Sequence, residues 1–478
     1  MLTAAIALNR FGLGARPSDA LPTDPRRWLL DQFNRFQPRP QALAQVPTRS
    51  AVVGQLADYV AEARMDRRAK ARVQPASMAK TADQADAQKD PLKRYLRQTI
   101  RDDYLVMDSA RLASALASDT PFADRLVYFW ANHFAVSVDK LPVIGLAGLL
   151  EFEAIRPHVF GRFADLLLAV EQHPAMLLYL DQAQSIGPNS KIGQLVAARQ
   201  GKQRGLNENL AREAMELHTL GVRTGYSQAD VTEFARALTG WTVSGIARGP
   251  AARIVGGTPG EFRFAEALHE PGDRVIMSKR YAQPGEDQAK AVLLDLAASP
   301  ATARHIATKL ARHFAGDDPP QPLIDRLSRA YLASGGDLPT IYRALIDSPE
   351  AAAPQPAKFK TPWEWSVSAL RAVGGEKLDP AAAAAMLKQL GQPTWKPGSP
   401  AGWDDIAASW AAPEALMRRV EIAQRIADRA GSSIDARALA DKVLPGVLSE
   451  ATRTAIARAE SPQEGLALLL VSPEFVRR

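Results

Sequence analysis

The sequence predicts an all-α protein, a large multi-helix body carrying a small β-hairpin insertion. Three observations point there. Alanine and leucine recur at helical spacing along nearly the whole chain, and runs of alternating β-branched residues are almost absent. The exceptions fall between Ile254 and Tyr281, where Glu261–Phe264 and Arg274–Met277 read as two short strands with Gly272-Asp273 near the turn between them. The implied division is an N-terminal helical core over 1–245, a β insertion over 246–285 and a C-terminal helical half over 286–478 packed on the core. Within the core, 64–91 is rich in Ala, Lys, Arg, Gln and Asp; it lacks the apolar surface to order itself and reads as a mobile loop.

Four leucine-rich stretches end at a residue followed by proline: His173-Pro174, Ser299-Pro300, Ser348-Pro349 and Ser472-Pro473. The residue before proline is pushed out of the α region, and proline suits the first turn of a helix, so each pair predicts a helix start. This is punctuation for successive helix pairs with short connections.

Composition narrows the function classes. The 478 residues suffice for a large core, and 59 Lys plus Arg against 52 Asp plus Glu leaves a mild +7. That excess suits an acidic partner or an anionic surface but is not the basic footprint of a nucleic-acid binder. No cysteine is present, which removes disulfides, thiolate metal sites and a thiol nucleophile. No stretch approaches the roughly 18 apolar residues of a membrane span. The apolar start, Met1 to Asn9, has no basic segment before it and no cleavage site after it, so no export signal is expected. A Gly-rich phosphate loop, His-Glu-x-x-His and Gly-x-Ser-x-Gly are all missing, and Glu213-x-x-Glu216 is not the Glu-x-x-His of a di-iron bundle. The residues therefore assign neither a metal ligand set nor a cofactor.

Three segments place polar groups on apolar helices. From Thr120, read as a cap, to Phe134, His133 falls within the stripe of Phe122, Leu126, Phe129 and Trp130, with Asn132 beside it. A histidine there is desolvated and needs a partner for each ring nitrogen, whether as a satisfied core residue or as a base or ligand at a pocket floor. From Gly205 to Gly221, Asn207 caps a helix whose apolar face is Leu206, Leu210, Ala214 and Leu217. Glu208, Arg212 and Glu216 form an i, i+4 ladder on the other side, flanked by Asn209 and Glu213, and His218 lies in the last turn. From Tyr226 to Trp241, Ser227 and Asp230 have capping-box spacing, and Trp241 follows the helix as an anchor. His269-Glu270 lies in the β insertion. The loop bearing Trp395, Trp403 and Trp410 either stacks on a planar or sugar ligand or plugs onto the core.

These segments together resemble the bacterial family called "domain of unknown function 1800". The resemblance is carried by Asn9-Arg10-Phe11-Gly12, Phe129-Trp130 with Asn132-His133-Phe134, Pro174 to Asp181, Asn207-Glu208-Asn209 with Arg212-Glu213 and Glu216-Leu217, Asp230-Val231, Leu238 to Trp241, Pro300 to Arg304, and Gly391-Gln392 to Gly402-Trp403. It implies no reaction. It does imply an exported setting and a partner with the alkaline-phosphatase-like fold, although this chain lacks an evident export signal. It also departs from the pattern at Glu270, where the family usually has aspartate after the histidine.

Two functions follow as expectations. The first is a hydrolase- or lyase-type enzyme acting on a polymer or polar conjugate. His133 is then a general base or ligand, Glu208 or Glu213 its acid/base partner and Arg212 an anion holder. Asn132, Asn207, Asn209, Glu216, Asp230 and Asp181 would bind substrate, with Trp241 and His269 lining the pocket. It requires His133 and the acidic helix face to meet in one cleft. The alternative is a non-catalytic binding or assembly protein whose polar block is a buried network setting helix register.

Overall fold

The computed structural model describes residues 2–58, 91–200, 206–246, 254–375 and 379–478. Of the segment 64–91, read from sequence as a loop, only Pro91 is described, and it opens the helix Pro91–Ala117; the rest lies outside the described residues. The protein is 60% helical, with two small sheets among the described residues, an all-α body with a β insertion as the sequence predicts. No helix among the described residues is long and apolar enough to cross a membrane.

The two strands read from sequence are present but do not pair with each other. Phe262–Phe264 pairs antiparallel with Trp241–Val243, and Arg274–Ile276 pairs antiparallel with Lys279–Tyr281. The second ladder turns at Met277 and Ser278, both at positive φ (49° and 64°), the backbone of a two-residue primed turn. Gly272-Asp273 therefore precedes the hairpin instead of closing it. The alternation was too short to identify its partner, and Met-Ser is not the Asn-Gly signal that marks such turns.

One apolar core runs from Ile6 to Val476, and a small second cluster, including Ile186, Ile192 and Leu268, lies under the β insertion. Two helices form the centre. In Pro121–His133 every residue but Ala131 and Asn132 is buried, and in Pro362–Ala372 every residue is. Each fully buried large side chain there contributes about 1.5–3 kcal/mol, enough to carry the charges these helices also bury. Asp124 pairs with Arg156 at 2.7 Å, and Arg125 pairs with Glu364. Thr120 makes no side-chain cap; the Phe122 N–H instead donates to Gln32 Oε1 at 2.8 Å.

Two of the four proline junctions start helices. His173 Nδ1 accepts the Ala175 N–H ahead of Pro174–Tyr179, and Ser299 Oγ accepts the Ala301 N–H ahead of Pro300–Ala315. Ser348-Pro349 and Ser472-Pro473 open turns instead, with the Ser348 hydroxyl donating back to Ala344 O at 2.6 Å. Among the described residues three segments are π-helical: Ile6–Phe11, Leu150–Ile155 and Ala214–His218.

Candidate functional site

A cleft of about 310 Å³ opens between the ends of helices Pro121–His133 and Pro300–Ala315, the start of Pro362–Ala372, and the loop 392–406. Its lining includes Asn132, His133, Lys309, Arg312, His313, Glu364 and Asp405, with Trp363, Trp395 and Trp403 as flat walls.

His133 sits at its floor, 1% exposed. Its Nε2 lies 3.1 Å from the His218 carbonyl oxygen. A carbonyl only accepts, so the neutral ring carries its proton on Nε2 and its lone pair on Nδ1. That Nδ1 has no hydrogen-bond partner among the described residues. Burial first, then the charges of Lys309, His305 and His218, push the His133 pKa well below the usual histidine range. The ring is neutral around pH 7.

The helix Pro300–Ala315 supplies the opposite wall. It buries Ala303, Ile306, Ala307, Leu310, Ala311 and Phe314 and ends at Gly316, whose φ of 140° suits glycine. At 100° per residue, His305, Lys309, Arg312 and His313 share an arc of about 100°. The Lys309 amine has neither hydrogen bond nor ion pair among the described residues, and burial lowers its pKa to about 8 against the opposing pull of Asp405. His305 Nε2 donates to Leu217 O at 3.1 Å; burial, then Lys309, lowers its pKa to about 4.

Beneath this lies a network of paired charges. His313 Nδ1 donates to Asp405 Oδ2 at 2.8 Å, and Lys358 Nζ lies 3.1 Å from Asp405 Oδ1. Glu364 receives Arg125 and, at 2.7 Å, Arg478, while its other oxygen accepts the Thr361 N–H in a capping box. Burial pushes the Glu364 carboxyl up, but Arg478 and Arg125 outweigh it and hold it ionised. Burial likewise opposes ionisation of Asp405, and His313 and Lys358 overcome it.

The acidic stretch beginning at Asn207 meets His133 differently from the way the sequence suggested. Its backbone reaches the imidazole through the His218 carbonyl, whereas Asn207, Glu208, Asn209, Arg212, Glu213 and Glu216 do not line this cleft. The π-turn at Ala214–His218 explains both facts. The wider turn shifts the helical phase, so Met215 and His218 are buried and Leu217 is partly exposed. His218, fully buried, donates from Nδ1 to Glu171 Oε1 at 2.6 Å instead of decorating an exposed helix end.

Glu208, Arg212 and Glu216 form the ladder their spacing predicts, at 3.4 and 3.3 Å, and Glu208 also accepts from Thr232 and Gln228 of the next helix. Asn207 Oδ1 accepts the Asn209 N–H, its Nδ2 donates to Leu180 O, and Asn209 is exposed. Glu213 is half-buried, and burial raises its pKa. Asp181, at φ 58°, pairs with Lys140 at 2.6 Å.

Asp230 completes the capping box with Ser227 and accepts the Met277 N–H at 2.6 Å, which ties the hairpin turn to the helix. Trp241 is fully buried against Phe262, and the His269 Nδ1 donates to Thr239 O at 2.9 Å. Neither lines the cleft. Asn132 does, but its amide is engaged in both directions by Trp403: Nδ2 donates to the carbonyl at 2.8 Å and Oδ1 accepts the N–H at 2.7 Å. It holds the tryptophan loop in place. Trp395 and Trp410 plug that loop through hydrogen bonds to Glu151 and the Asp404 carbonyl.

Sequence reasoning missed Lys309, Arg312, His313, Glu364 and Asp405. One signal was present: His305, Lys309 and His313 recur every fourth residue. Among the described residues no group of three or more His, Cys, Asp or Glu is placed to hold a metal ion.

Fold and site together define a helical protein whose cleft is lined by an imidazole and an ammonium that both lack partners among the described residues. The chain belongs to the family described as "Protein of unknown function (DUF1800)", whose profile matches residues 6–477. No curated protein and no solved structure matches it.

Proposed function

We propose that this protein is an enzyme of hydrolase or lyase type that works in the cleft, with His133 Nδ1 as its base. The observation carrying this reading is the half-satisfied imidazole in the cleft lining: buried polar atoms are nearly always paired, yet Nδ1 of this buried ring has no hydrogen-bond partner among the described residues. Water or a substrate X–H is the partner it lacks. In hydrolysis the base takes a proton from the water whose oxygen attacks the electrophilic centre, the bond to the leaving group breaks, and the proton held on Nδ1 passes to that group. In elimination the base takes a C–H proton, the double bond forms as the bond to the leaving group on the neighbouring carbon breaks, and the proton passes to the departing group. The Lys309 ammonium beside it stabilises the negative charge that either reaction develops. Lys309 also lowers the basicity of His133. An anion seated on Lys309 cancels that repulsion and raises the imidazole towards the range useful at neutral pH.

The non-catalytic reading has one observation in its favour. The face carrying Glu208, Arg212 and Glu216 cross-links two helices through Gln228 and Thr232 and needs no substrate for that. Chromogenic carboxylate, phosphate, amide and glycoside substrates decide between the two when supplied to the wild type and to His133→Gln, which keeps a donor for the His218 carbonyl. Loss of a general base lowers turnover by about 10²–10⁴ with the melting temperature retained. Equal rates, or no turnover by the wild type, leave the non-catalytic reading standing.

A further inference from the structure

We propose that the occupant of this cleft carries an anionic oxygen group, a carboxylate or a phosphate, held by Lys309 Nζ and the Arg312 guanidinium. The inference rests on the cleft being the functional site and names the chemistry of its ligand.

Four cationic side chains line the cleft: Arg111, Arg125, Lys309 and Arg312. Arg111 is taken up by Glu151, at 3.0 and 2.8 Å, and lies over the Trp363 ring. Arg125 is taken up by Glu364 and by Gly12 O at 2.8 Å. Among the described residues Lys309 makes no hydrogen bond or ion pair, and Arg312 makes one hydrogen bond, from Nε to Asp317 O at 3.2 Å, which leaves both its Nη groups without partners.

The carboxylates of the cleft do not make up the difference. Glu364 and Asp405 are held by Arg125, Arg478, His313 and Lys358, and the exposed Asp404 accepts from Ser409 at 2.8 Å. Both side chains are partly exposed to the cleft, so their N–H groups are open to a ligand, and a partly desolvated cation gains from an anionic partner. Lys309 and Arg312 stand three residues apart on one helix, on the same side of it, and both line the cleft. A forked guanidinium beside an ammonium matches the oxygens of a carboxylate or phosphate. Trp403, half-buried at the mouth, offers a flat apolar wall to the remainder of the ligand.

Isothermal calorimetry and thermal melting at constant ionic strength test this with two probes, inorganic phosphate and benzoate, against sodium chloride alone. The wild type is expected to bind one of them saturably at pH 7, and which one it binds separates a phosphoryl ligand from a carboxylate. Lys309→Met and Arg312→Gln should each weaken that binding at least tenfold, and wild-type binding should fade as pH rises above about 8, where the free amine loses its proton. Identical binding in the wild type and both variants, or a response no greater than that to chloride, overturns the proposal. The result is independent of the base: anion binding without any effect of His133→Gln on turnover removes the base and keeps the anion site, and the converse pattern removes the anion site alone.

Discussion

Replacing Lys309 with methionine should stabilise the protein at neutral pH while removing its anion site. The ammonium makes no ion pair among the described residues, and burial lowers its pKa from 10.5 to about 8 against the pull of Asp405. A difference of this size corresponds to about 3 kcal/mol between the two protonation states. Water in the cleft solvates the group in part, which reduces the usable figure to about 1–3 kcal/mol. The folded pKa lies below the unfolded one, so below pH about 8 both states are protonated and the full cost is present. Between about 8 and 10.5 the folded state gives up its proton first. The unfolded chain then binds more protons, and stability climbs with pH until the cost is gone.

Lys309→Met never pays this cost, so its advantage over the wild type is greatest near pH 7 and disappears by pH about 10.5. Two measurements check the argument. Urea midpoints of both proteins at pH 7 and at pH 10 give the difference in stability, and NMR of lysines carrying ¹³C-methyl groups, with the Lys309 signal assigned by its absence from the variant, gives the titration directly. Parallel pH–stability curves, or a Lys309 signal that titrates like the other lysines, would refute the reasoning.

Other substitutions separate the structural roles. Asn132→Ala removes two hydrogen bonds to the Trp403 backbone, at 2.8 and 2.7 Å; it should cost about 1–3 kcal/mol and speed amide exchange at Trp403. Asp230→Ala strips both the capping box and the Met277 contact and should cost about 1–2 kcal/mol, seen as a lower melting temperature. Arg212→Ala breaks long, partly exposed ion pairs at 3.4 and 3.3 Å and should change stability by no more than about 0.5–1 kcal/mol; a much larger loss would favour the scaffold reading. Glu171→Gln weakens the buried bond to His218 and should cost about 1–3 kcal/mol, measured by urea unfolding.

Local periodicity was enough for the helical body, because the stripes of Pro300–Ala315 and Gln228–Leu238 are consequences of 3.6 residues per turn. The capping box at Ser227 and Asp230 was legible for the same reason: its partners are three residues apart. The phase of the Asn207 helix was not, since a π-turn adds a residue that the α template does not contain, and Leu217 and His218 exchanged their expected environments. Pairings across the chain left no trace in spacing. Glu364 reads as the third residue of a cap after Thr361, and nothing near it announces Arg125 or Arg478. His133 was legible as a buried polar group, but not its acceptor 85 residues away.

The family motifs take on physical meaning once the three π-turns are followed to their ends. Ile6–Phe11 leads into Gly12, whose carbonyl holds Arg125, while Arg10 donates to the carbonyls of Ala351, Ala353 and Gln355. Leu150–Ile155 carries Glu151, which fixes both Arg111 and the Trp395 indole in the cleft wall. Ala214–His218 ends with two successive carbonyls, Leu217 O and His218 O, each accepting from an imidazole of a different helix. The negative end of a helix favours such donors, and the same bond that satisfies the carbonyl decides which nitrogen of His133 keeps its lone pair. The acidic stretch therefore acts on the cleft through its backbone. Glu208 reaches a neighbouring helix, while the His218 carbonyl at the end of the same stretch fixes the tautomer of the imidazole that lines the cleft with Lys309.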